Sequence, residues 1–179
     1  YSGVLVLILA GLYDLEDRGI LKLNLPRSEN INIGAESGSY YKVTKVTDGD
    51  TLHININGTD ETVRLIGINT PETVDPRKPV QCFGKEASAR MKDIAYEKLV
   101  RLEYDESQSL RDTYNRLLAY VYLEDGQMLN RKMIAEGYAF EYTYLTPYKY
   151  QKEFRELQTL ARTSTRGLWG VDTCNGNTN

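Results

Sequence analysis

VRLIGINTPET, residues Val63–Thr73, is the stretch on which the reading of this chain turns. Leu65, Ile66 and Ile68 are apolar and partly β-branched, which suits a strand covered by protein. Arg64 sits inside that run, where a charge needs an anionic partner because burying it alone is strongly unfavourable. Asn69, Thr70, Pro71 and Glu72 follow, and Pro71 ends the strand because it has no N–H to give a sheet. A strand over Glu61–Ile68 would deliver a guanidinium, an amide oxygen, a backbone carbonyl and a carboxylate to one strand end. Upstream, TDGDT (Thr47–Thr51) forms a second acidic turn, with Asp48-Gly49 suited to a tight reversal. Downstream, DTYNRLLAY (Asp112–Tyr120) carries a second arginine, Arg116, into another strand. Two arginines and two acidic turns, with no histidine beside them, point to metal-assisted chemistry on a phosphate.

Outward from this stretch, further strands are expected over Tyr40–Thr47, Thr51–Asn57, Leu99–Tyr104 and Arg116–Leu123. Asn57-Gly58 is a strong hairpin signal between the second strand and the third. Cys82–Lys98 reads as a helix whose apolar face is Ala87, Met91, Ile94 and Ala95. A second helix is expected near Met128–Glu136, with Gly137 as its C-cap, and a third over Tyr150–Arg162 with Phe154, Leu157 and Ala161 inward. Five short strands with a helix after the third imply an α+β, mainly β chain: a five-stranded OB-type Greek-key barrel with about three packed helices.

The chain is divided as an N-terminal apolar segment and linker over 1–39, the barrel domain over 40–170 and a tail over 171–179. Residues 1–12, YSGVLVLILAGL, are too short to span a bilayer, which takes about 20 residues. They read either as part of a cut export signal or membrane anchor, or as an extra core strand. Ile20–Leu25 reads as a short strand within the linker.

At 179 residues the chain suits one domain with a substantial core. The net charge of −3 does not advertise non-specific nucleic-acid binding, so phosphate recognition must be local to a cleft. The single histidine, His53, excludes any mechanism built on a histidine pair, and the alternation around it places it on the polar side of its strand. The two cysteines, Cys82 and Cys174, are not in metal-ligand spacing. They are either free thiols or one disulfide. The polar tail around Cys174 favours the disulfide, and with it an oxidising compartment outside the cytoplasm. Closing so long a loop contributes about 4–5 kcal/mol in the chain-entropy model.

The ordered set DGDT, then R-L-x-x-x-N-T-P-E, then D-x-Y-x-R-x-L-A-Y-V-Y resembles the staphylococcal nuclease (thermonuclease) family over Tyr41 to Gly170. The resemblance implies the same barrel and a Ca²⁺-dependent, sugar-nonspecific nuclease. Such an enzyme hydrolyses DNA and RNA to leave 3′-phosphates, preferring single strands. Asp50, the side-chain oxygen of Asn69 and the carbonyl of Thr70 correspond to the Ca²⁺ ligands. Glu72 corresponds to the carboxylate that orients or deprotonates the attacking water, and Arg64 and Arg116 to the pair that stabilises the charge developing on phosphorus.

Tyr114 corresponds to a residue that bonds the terminal phosphate, and Tyr142 and Tyr144 to base-stacking tyrosines. Plain packing is the alternative for these last two. Lys78 is a backbone contact or a solvated loop charge. Two departures stand out: Asn69 replaces the aspartate of the family's best-known member, and Thr113 replaces a phosphate-binding lysine. The first removes a negative charge and is expected to weaken Ca²⁺ binding. The alternative function is a catalytically weak nucleic-acid-binding or interaction module of the same fold. The chain is expected to be secreted or membrane-tethered, and monomeric.

Overall fold

The computed structural model describes residues 38–73 and 79–178. The apolar run at residues 1–12, the short strand expected at Ile20–Leu25, and Lys78 lie outside those residues. A five-stranded closed barrel forms the body, in the order β1-β2-β3-β6-β5. β1 (Tyr41–Asp48) and β2 (Thr51–Ile56) form the first antiparallel hairpin, and β3 (Thr59–Leu65) extends it. β3 runs parallel to β6 (Leu117–Leu123), which pairs antiparallel with β5 (Leu99–Glu103). Tyr41 opposite Val100 then closes the barrel onto β1. The period-two pattern of these strands sends Val43, Leu52, Ile54, Val63, Val100, Leu117, Ala119 and Val121 inward, all without exposed surface.

The expected third strand is shorter than its apolar pattern suggested. It ends at Leu65, and Ile68–Asn69 forms a separate strand, β4, paired with β7 (Phe140–Glu141). Gly67 causes the break. It takes φ +77°, and a Cβ there would lie 2.5 Å from the Tyr148 ring. The aromatic stretch that opens at Phe140 thus supplies a strand, although its sequence shows no clear strand alternation. Asn130, fully buried, locks this corner. Its amide donates to the Ile66 carbonyl at 2.8 Å and its oxygen accepts from the Val121 N–H at 3.0 Å. Satisfying both ends of the amide is what makes its burial tolerable.

Among the described residues three α-helices, α1 (Gly84–Ala95), α2 (Leu129–Ala135) and α3 (Gln151–Thr163), cover the barrel. Ala87, Met91 and Ala95 face inward from α1, as the 3.6-residue period predicts, with Ile94 only half-buried. Phe154 and Ala161 are the buried residues of α3, and Phe154 packs against the rings of Tyr120, Tyr148 and Tyr150. A short 3-10 turn at Gly167–Trp169 brings Trp169 edge-on to Phe140, with centroids 5.2 Å apart. Cys82 and Cys174 are joined as a disulfide. Among the described residues no helix is long and apolar enough to cross a membrane.

Candidate active site

The barrel mouth holds a cleft of about 850 Å³. The register of β3 places Arg64 between Thr51 of β2 and Leu118 of β6, at the strand end that opens into it. A register shift between Val46 and Asp48 precedes the reversal that presents Asp48 and Asp50 at the same rim. The two acidic turns meet there directly: the Thr70 N–H donates to Asp50 Oδ2 at 2.9 Å.

Arg64 is held on one edge. Its Nη1 donates to the carbonyls of Leu65 at 2.7 Å and Ile68 at 2.8 Å. Its Nη2 lies 3.1 Å from Asp50 Oδ2 and 3.2 Å from Asn69 Oδ1. Only 13% of the side chain is exposed. The Nε–H bonds to none of the described residues, and Arg64 lines the cleft. A planar donor fixed on one side and open on the other suits a phosphate oxygen.

Arg116 is held differently. Asp112 Oδ2 accepts from its Nε and Nη2, both at 2.7 Å, and Asp112 Oδ1 accepts from its backbone N–H at 3.0 Å. Burial raises the Asp112 carboxyl, but these bonds from Arg116 outweigh it and hold the group below the ordinary carboxylate range. Arg116 is therefore ion-paired with Asp112, and it lines the cleft as well.

Asp48 is the most perturbed acid of the site. Burial pushes its carboxyl up to about 6, with the charges of Asp50 and Glu72 acting in the same direction. Hydrogen bonds from the Gly49 N–H and Thr73 Oγ1 act against them. Asp48, Asp50 and Glu72 all line the cleft. Thr70 Oγ1 is buried without a hydrogen-bond partner among the described residues, so this turn holds an oxygen free to accept or ligate. This oxygen-rich, acidic set fits a hard divalent ion. Among the described residues no three His, Cys, Asp or Glu side chains form a metal cluster.

Glu72 lines the cleft, and its own Oε1 accepts from the Thr73 N–H at 2.9 Å. Tyr114, 80% exposed, stands on the rim with the Arg116 guanidinium 5.4 Å from its ring centroid. Tyr142 and Tyr144, 45% and 71% exposed, line the opposite loop with centroids 6.4 Å apart. Plain core packing does not account for rings so exposed. His53 also reaches the cleft, its Nδ1 2.9 Å from Asp60 Oδ2. Sequence reasoning missed the Ser107 and Gln108 ledge, where Gln108 Nε2 donates to Thr146 Oγ1 at 3.0 Å and the Pro147 carbonyl at 3.1 Å. Nothing in the local pattern marks these two residues, since their partners are about forty positions away.

A family model described as staphylococcal nuclease homologue matches residues 62–171. The chain is 43% identical over 129 residues to the thermonuclease of Staphylococcus hyicus, covering 72% of this chain and 75% of that one. The chain belongs to the staphylococcal nuclease family. The thermonuclease of Staphylococcus intermedius is 44% identical over 132 residues, 74% of this chain and 77% of its own length. Endonuclease YncB of Bacillus subtilis (strain 168) is 37% identical over 126 residues, 70% of this chain and 59% of its own. For this staphylococcal nuclease homologue, the matched region contains Arg64, Asn69, Thr70, Glu72, Tyr114 and Arg116, while Asp50 lies just before it.

Proposed function

We propose that this chain is a Ca²⁺-dependent, sugar-nonspecific nuclease that cleaves DNA and RNA, preferring single strands, and leaves 3′-phosphates. Relatives named thermonuclease and endonuclease support a hydrolase of phosphodiester bonds. The observation that carries the reading is the Asp50–Thr70 hydrogen bond, which joins both acidic turns beside Arg64 in the cleft that Glu72 and Arg116 also line.

Asp50, Asn69 and Thr70 would hold the ion, with Asp48 adding charge nearby. A bound divalent cation supplies neutralisation of the phosphodiester and of the charge that develops on it. Glu72 accepts a proton from the attacking water or orients it in line. The open edge of Arg64 and the guanidinium of Arg116 hold the phosphate oxygens as their charge rises. Tyr142, Tyr144 and Tyr114 offer ring faces to unstacked bases, which supports the preference for single strands. The disulfide supports an oxidising compartment outside the cytoplasm.

The test is product analysis of single-stranded DNA and RNA incubated with Ca²⁺ or a chelator. The reading expects fragments with 3′-phosphate ends in Ca²⁺ alone. Strand binding without cleavage at millimolar Ca²⁺ would instead make the chain a binding module.

A further inference from the structure

Glu72 is tied to the chain on the far side of residues 74–78. Its N–H donates to Gln81 Oε1 at 2.7 Å, and the Gln81 N–H donates to the Glu72 carbonyl at 3.0 Å. This reciprocal pair fixes the backbone that carries the carboxylate. The first residue of α1, Gly84, presses on the same backbone. A Cβ there would lie 3.1 Å from the carbonyl oxygens of both Pro71 and Glu72 and 2.7 Å from Thr73 Cγ2.

Gln81 is itself followed by a covalent anchor. Cys82 is bonded to Cys174, and its N–H donates to the Thr178 carbonyl at 3.2 Å. The segment that carries Cys174 is bound to the body in turn. The Gly176 N–H donates to the Leu168 carbonyl at 2.9 Å and the Asn175 N–H to the Gly170 carbonyl at 3.0 Å. Glu72 is thus linked through Gln81 and the disulfide to the 3-10 turn at Gly167–Trp169, well outside the cleft.

We propose that Gln81 is a positioning residue for Glu72 and that the Cys82–Cys174 disulfide braces it. The inference rests on Glu72 being the water-orienting carboxylate. A general base must sit within hydrogen-bond reach of the water it activates, so slack in its backbone is lost rate rather than lost binding. The disulfide therefore contributes to turnover as well as to stability.

The experiment is steady-state cleavage of single-stranded DNA in Ca²⁺ by Gln81→Met, Gln81→Glu and Cys82→Ser/Cys174→Ser, with Gln81→Met repeated in a Glu72→Gln background. Folding is checked by circular dichroism. Gln81→Met, which keeps the length but loses the acceptor, should lower kcat about tenfold with KM and half-saturating Ca²⁺ within about twofold. Gln81→Glu, which keeps an acceptor, should recover most of that loss. In the Glu72→Gln background Gln81→Met should add nothing. The double serine variant should lower kcat in the same direction and less than additively with Gln81→Met. A Gln81→Met enzyme at wild-type kcat, or one equally impaired in both backgrounds, would overturn the proposal. Wild-type turnover by Glu72→Gln alone is a separate result, and it would remove the reading beneath it.

Discussion

Arg64 lies in a strand whose neighbours are buried, and four acceptors surround its guanidinium: two carbonyls, the Asp50 carboxylate and the Asn69 amide. The sequence demanded a partner for this charge but could not say that backbone carbonyls would supply half of it. Asn69 is one of the two residues where this chain departs from the resemblance, and its oxygen already accepts from Arg64. Asn69→Asp adds a charge beside Asp50, so the half-saturating Ca²⁺ concentration should fall severalfold by calorimetric titration and by activity. An unchanged or higher value would show that residue 69 is not a ligand. The identity of the acids and arginines was legible because they lie within short, ordered motifs. Asn130, Gln81, Ser107 and Gln108 were not, because each of these polar side chains acquires its meaning only from a partner outside its own local pattern.

At the scale of elements, the loop after β5 is fastened to the loop before α3 through Asp105. Asp105 Oδ2 accepts from the Tyr120 hydroxyl at 2.6 Å and the Lys149 N–H at 2.8 Å, and Oδ1 accepts from Ser107 N–H at 2.9 Å and Oγ at 2.7 Å. Burial raises this carboxyl, but the four bonds outweigh it and hold the group below its ordinary value. A depressed pKa contributes stability above the unfolded-state value of about 4 that is lost as pH falls through the folded-state value. Asp105→Asn should therefore destabilise by about 2 kcal/mol at neutral pH in denaturant titrations. The gap from wild type should narrow as the pH drops below about 4. A gap constant with pH would mean that the carboxylate charge is not what matters. Strand and helix existence followed from period-two and period-3.6 patterns. The break at Gly67 did not, since Ile66-Gly67-Ile68 reads as a continuous apolar run until Tyr148 fills the space a Cβ would need.

For the whole molecule, a net charge of −3 must be reconciled with a polyanionic substrate. Of the three arginines that line the cleft, Arg111 is paired with Glu61, which leaves Arg64 and Arg116 to meet phosphates, so few counterions are released on binding. The KM for single-stranded DNA should accordingly rise with salt at a log–log slope of about 1.5, whereas a slope near 5 would indicate an extended basic track. Barrel closure was inferable from strand count and hairpin signals. Parallel pairing of β3 with β6 was not, because both turn chemistry and alternation are silent about partners separated by a helix and two strands.

In the proposed function Glu72 acts on water beside an ion held by Asp50, Asn69 and Thr70. Initial-rate hydrolysis of single-stranded DNA by wild type and Glu72→Gln, each with Ca²⁺ and with chelator, tests it most directly. The account predicts cleavage by wild type in Ca²⁺ only, and a loss of about a thousandfold in kcat for Glu72→Gln. Wild-type rates from Glu72→Gln, or cleavage undiminished by the chelator, would contradict it.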